Sequence, residues 1–141
     1  MPSARVLDVG NCDPDHGLIR GLIEGHFDAA VDRRMFVHEA IDAMHKTRYD
    51  LVLVNRQIFA DQSDGLELVR RARSEPELDG VPIMMVSNYD DAQQRAVAAG
   101  AVHGFGKARL GSATTLAILE RYLRRQPGGP STETAVRRVN S

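Results

Sequence analysis

The polar side chains that could share one site in this chain are Asn11 with Cys12, Asn55, Ser87 and Lys107, because each falls where an apolar run ends. A hydroxyl at Ser87 and an ammonium at Lys107 could together bind an anion. The remaining members supply amides and a thiol, not carboxylates. An amide is a far poorer nucleophile than a carboxylate and a poorer ligand for a hard cation such as Mg²⁺. As it stands, the set lacks the groups that would hold such a cation and attack an electrophile.

Other candidates have structural readings beside the chemical ones. Asp13 precedes Pro14 and reads as a helix N-cap with proline at the first helical position; a metal carboxylate is its rival reading. Asp8 interrupts an apolar run, which implies an edge or a register irregularity, with the pocket as the alternative. Asp61 and Asp64 lie in a loop where turn and capping duties account for both, and either is an alternative acceptor. Cys12 reads as a packing residue, since nothing beside it favours a thiolate. The five histidines, His16, His26, His38, His45 and His103, show no paired metal-ligand spacing and read as surface or helix-face residues. Gly104-Phe105-Gly106-Lys107 lacks the earlier glycine and the Ser/Thr of a phosphate loop. No nucleophile elbow is present.

The elements that would position these residues follow from the hydrophobic pattern. Val6 to Gly10 reads as a strand, and Leu18, Ile19, Leu22, Ile23 and Phe27 recur at helical spacing after Asp13. A short strand over 29–31 precedes a helix striped by Val37, Ala40, Ile41 and Met44. Leu51 to Val54 is apolar throughout, as a strand covered on both faces requires. Asp64 and Glu67 have capping-box spacing for a third helix that ends near Ser74-Glu75-Pro76. A fourth strand spans 81–87, and an alanine-rich helix over 91–99 is terminated by Gly100. A fifth strand covers 102–106, and Leu116, Leu119, Tyr122 and Leu123 mark a last helix whose end carries Arg121, Arg124 and Arg125. Strands alternating with helices predict an α/β fold: a parallel sheet with helices on both faces and sites outside the strand carboxyl ends.

At 141 residues one domain is expected over 1–125, with the proline-, glycine- and polar-rich stretch 126–141 as a flexible tail. A net charge of −1 gives no electrostatic reason to expect nucleic acid or an anionic membrane as partner. No apolar run is long enough to span a bilayer, and a single cysteine fits a reducing cytosol, so a cytoplasmic location is expected.

Taken together, Asp50-Leu-Val-Leu-Val-Asn55 with Asp64-Gly-Leu-Glu-Leu68, Val81-Pro-Ile-Met-Met-Val-Ser87, Ala99-Gly-Ala101 and Gly104-Phe-Gly-Lys107 resemble the receiver domains of bacterial two-component response regulators. The resemblance covers residues 4 to 125. It implies a doubly wound, flavodoxin-like sheet of five parallel strands in the order 2-1-3-4-5. In that family an acidic pair after the first strand and an acceptor aspartate hold Mg²⁺, while a Ser/Thr and a lysine contact the phosphoryl group. The acceptor position falls on Asn55 and the acidic pair on Asn11 and Cys12, or on Gly10 and Asn11 in the neighbouring register. Ser87 and Lys107 match the hydroxyl and the lysine. Ile58-Phe59 replaces the usual Met-Pro, and Ala108 replaces the proline that often follows the lysine in a cis bond, so a trans bond is expected. The switch aromatic has two candidate positions, Gly104 and Phe105.

The resemblance therefore implies an atypical, pseudo-receiver member: no enzyme, no metal and no cofactor, but a phosphorylation-independent protein-interaction module. Its partner, a signalling protein or a second copy, would use the face of the fourth helix, fifth strand and fifth helix. The alternatives are a receiver phosphorylated at a non-standard aspartate and a small-anion sensor that uses the vacant pocket.

Overall fold

A computed structural model describes residues 2–126 of the chain. Of the expected tail, only Gln126 is among them. The strands are β1 (Ala4–Val9), β2 (Ala29–Arg34), β3 (Leu51–Asn55), β4 (Ile83–Val86) and β5 (Val102–Phe105). They pair in parallel in the order β2-β1-β3-β4-β5. The helices are α1 (Asp13–His26), α2 (Val37–Lys46), α3 (Leu66–Arg73), α4 (Asp90–Ala99) and α5 (Ala113–Glu120). This is the flavodoxin-like arrangement expected from the sequence.

Alternation along the strands divides the core in two. Leu7, Val9, Val52, Val54, Ile83 and Met85 face α2, α3 and α4. Val6, Leu51, Leu53, Met84, Val86 and Phe105 face α1 and α5. The central strands β1, β3 and β4 are thus apolar on both sides, which a sheet sandwiched between helical layers demands, whereas β2 and β5 at the two edges bury apolar side chains mainly in the α1 and α5 layer. The stripe predicted for α2 is buried in full, and Gly100 ends α4 at φ 115°.

Several boundaries differ from expectation. The N-cap of α1 is Cys12, not Asp13, which becomes the first helical residue and spends its carboxylate on Arg33, 2.8 Å away. Leu18 is exposed, so the buried stripe of α1 narrows to Ile19, Ile23 and the following Phe27. The N-cap of α3 is Gly65, not Asp64, which sits one residue earlier and accepts from the Leu66 amide at 2.9 Å, so the expected capping box with Glu67 does not form. The last helix stops at Glu120, so Arg121, Arg124 and Arg125 lie beyond it. There the chain docks back instead: the Asp28 amide donates to Arg124 O and the Gln126 amide to His26 O. No helix among the described residues is long and apolar enough to cross a membrane.

Candidate functional site

The carboxyl ends of β1, β3, β4 and β5 bring Asn11, Cys12, Asn55, Ser87 and Lys107 to one edge of the sheet. Asn55 ends β3, and its amide is fully engaged. Nδ2 donates to the Gln57 carbonyl at 2.7 Å and lies 3.5 Å from the Gly10 carbonyl; Oδ1 accepts from Lys107 Nζ at 3.2 Å. Only this orientation of the amide works. Its reverse would set an NH₂ against the ammonium and an oxygen against the Gln57 carbonyl.

Lys107 begins a short 3₁₀ turn (Lys107–Arg109), and its shorter contact, 2.7 Å, is to Asp15 Oδ2 in the first turn of α1. The Lys107 ammonium holds the Asp15 carboxyl below its ordinary value; partial burial opposes this, and a hydrogen bond from the Cys12 thiol assists. A carboxylate depressed in this way stabilises the fold above the ordinary carboxylate range and loses that contribution as pH falls through it. The expected result is that Asp15→Asn melts earlier than wild type at neutral pH and that the gap closes below about pH 4. Thermal melts of the two proteins across that range check it.

The expected acidic-pair positions are all committed elsewhere. Gly10 has φ 78°, and its carbonyl accepts from the Phe59 amide at 2.9 Å. Ile58, wholly buried, packs so closely here that a Cβ at position 10 would stand 2.5 Å from its Cδ1. A side chain at Gly10 is therefore excluded by both conformation and space. Asn11, 0 % exposed, turns its Nδ2 to Asp8 at 2.6 Å. Cys12 caps α1.

Asp8 corrects the expectation of an edge or a slipped register. It sits in unbroken pairing between β2 and β3 and is 0 % exposed. Its second oxygen accepts from His16 Nδ1 at 2.6 Å, which gives that histidine a buried role that the sequence did not reveal. A carboxylate without solvent requires such partners, and Asn11 with His16 supply them. Arg33 completes the frame, donating to the Asn11 carbonyl at 2.8 Å and pairing with Asp13. His16 and Asp15 were both missed because they lie on α1 with no motif of their own; the one available signal was a charged Asp8 inside an apolar strand.

These residues do not fit Mg²⁺. The Gln57 and Gly10 carbonyls face an amide donor, Ile58 fills the space beside Gly10, and no group of three metal-ligating side chains occurs among the described residues. A hard cation needs several oxygen ligands converging on one point.

On the phosphate-contacting side, Ser87 Oγ accepts from the Tyr89 amide at 3.2 Å. Phe105 packs into the α1 and α5 layer, whereas Gly104 faces α4. The space at Gly104 belongs to Gln93, 5 % exposed. Its Nε2 donates to the Met85 carbonyl at 2.9 Å and the Ser87 carbonyl at 3.2 Å, and its Oε1 accepts from the Gly104 amide at 2.9 Å. This amide joins α4 to β4 and β5 where their pairing shifts register between Met84 and Val86. Asp61 accepts from the Ser63 hydroxyl and amide, which hold its carboxyl below the ordinary value. No cis peptide bond occurs among the described residues, so the bond before Ala108 is trans.

No family model matches the chain, and no curated protein does. Solved structures do. The chain is similar to a putative response regulator from Chloroflexus aurantiacus J-10-fl, at 20% identity and TM-score 0.74, over 84% of this chain and 96% of that one. It is similar to the chemotaxis protein CheY4 of Vibrio cholerae at 22% identity and TM-score 0.67, over 85% and 98% of the two chains. NtrX from Brucella abortus matches at 20% identity and TM-score 0.70 over 84% of this chain, which spans only 27% of the NtrX chain. The fold is that of response-regulator receiver domains.

Proposed function

We propose that the protein is a pseudo-receiver: a cytoplasmic, phosphorylation-independent interaction module in bacterial two-component-type signalling. The observation that carries this reading is the amide of Asn55, which donates toward the carbonyls of Gln57 and Gly10 and accepts from Lys107. In the resembled family a carboxylate and a cation would be needed there. Ile58 and the buried pairing of Asn11 with Asp8 support the same reading.

The partner face lies on α4, β5 and α5. Val97 and His103 are exposed there, while Gln93 ties α4 to the sheet beneath them. A face held in this way works by equilibrium binding, and any change in it follows a partner's differential affinity. The rival acceptors Asp61 and Asp64 already serve Ser63 and Leu66. Exposure to acetyl phosphate and Mg²⁺ is expected to leave both the intact mass and the proteins retained from native lysate unchanged. A retained set that altered with phosphoryl donor would oppose the proposal.

A further inference from the structure

A cleft of about 340 Å³ opens between the β3–α3 loop and the β4–α4 loop, with Asn55 and Lys107 among its lining residues. That volume lies within the range of small-molecule sites. Two cations, Arg56 and Lys107, line it and no carboxylate does, although the chain as a whole is slightly acidic. Lys107 is already neutralised by Asp15. Arg56 forms no ion pair among the described residues; its guanidinium lies 5.4 Å from the centroid of the Tyr89 ring, which orients it. Ser87 accepts a hydrogen bond from the Tyr89 amide, so its hydroxyl hydrogen remains to be donated.

The rim has the opposite character. Phe59 is 55 % exposed and Tyr89 is 60 % exposed, one on each bounding loop. They are two of the four large apolar side chains left exposed among the described residues. Exposed aromatic side chains beside a cationic, donor-rich cleft suit a flat ring carrying a negative group.

We infer that this cleft binds a small organic anion carried on a planar ring, with Arg56 and Ser87 on the anionic group and Phe59 and Tyr89 against the ring. The anion is a carboxylate or a phosphate ester. The site does not depend on phosphate independence, since neither Arg56 nor the two aromatic residues takes part in acceptor or cation chemistry.

Calorimetric titration with 4-hydroxybenzoate, adenosine monophosphate, adenosine and inorganic phosphate tests it. At least one of the two ring-bearing anions is expected to bind saturably, and more tightly than adenosine or phosphate; the better one identifies the anionic group. Arg56→Ala should weaken that binding roughly tenfold or more, and Tyr89→Ala roughly threefold or more. Both side chains are surface groups, and unchanged melting temperatures confirm that the variants fold. The inference is overturned if neither ring-bearing anion binds, if phosphate alone binds as tightly, or if Arg56→Ala leaves the affinity unchanged.

Discussion

Replacing Asn55 by aspartate is expected to destabilise the protein, although it installs the residue that a phosphorylatable receiver would have. One carboxylate oxygen would keep the contact with Lys107. The other would stand where Nδ2 now lies, 2.7 Å from the Gln57 carbonyl and 3.5 Å from the Gly10 carbonyl. Two acceptors would then face each other with no hydrogen between them. The Gln57 carbonyl is exposed and the Gly10 carbonyl part-buried, so losing the donor between them costs about 1 kcal/mol. The gain at Lys107 offsets little of this, because Asp15 already holds the ammonium at 2.7 Å. The melting temperature of Asn55→Asp should therefore fall by roughly 4 °C. Added Mg²⁺ should not restore it, since Gly10, Asn11 and Cys12 supply no carboxylate and that of Asp15 is already engaged by Lys107 at 2.7 Å. A variant as stable as wild type in the absence of divalent cations would show that the amide's hydrogen-bonded position has been misread.

The largest loss of stability is expected at Gln93, far from any motif. Gln93→Leu keeps a side chain of similar size but removes both donors and the acceptor that serve Met85, Ser87 and Gly104. Three backbone groups at an irregular strand pairing would be left without partners in a buried setting. The expected cost is about 2–4 kcal/mol, beyond most point substitutions. Faster hydrogen exchange should be confined to α4, β4 and β5. The neighbouring Gly104→Ala should also destabilise, because a Cβ there would lie 2.3 Å from the Met85 carbonyl oxygen. Exposed Gln94→Ala is the control and should change little. Urea melts compare the series, and a Gln93→Leu protein within about 0.5 kcal/mol of wild type would remove the case for a fastened α4.

The strands were legible because apolar runs covered on both sides have few other uses, and their order followed from the resemblance to receiver domains. Asn55 was legible for a related reason: it stands where β3 ends, and a polar residue there must meet the sheet edge. The partners of the site were not legible. Asp15 and Lys107 meet only because α1 and the 3₁₀ turn after β5 converge above the sheet, and nothing local in sequence marks a pair so far apart. Asp8 was visible as an anomaly, yet its solution, His16 at the end of the first turn of α1, required the packed helix. Ile58 and Phe59 read alike in the sequence but part company in space: one is wholly buried beside Gly10 and the other is half-exposed at the cleft. Gln93 was hidden within an alanine-rich helix, where its side chain turns inward to serve the irregular pairing of β4 with β5.

Intact-mass measurement of the wild-type protein after prolonged incubation with acetyl phosphate and Mg²⁺ bears most directly on the account. An unchanged mass, alongside labelling of an ordinary receiver treated in parallel, is the predicted result. A stoichiometric gain of one phosphoryl group on the wild-type chain would contradict it.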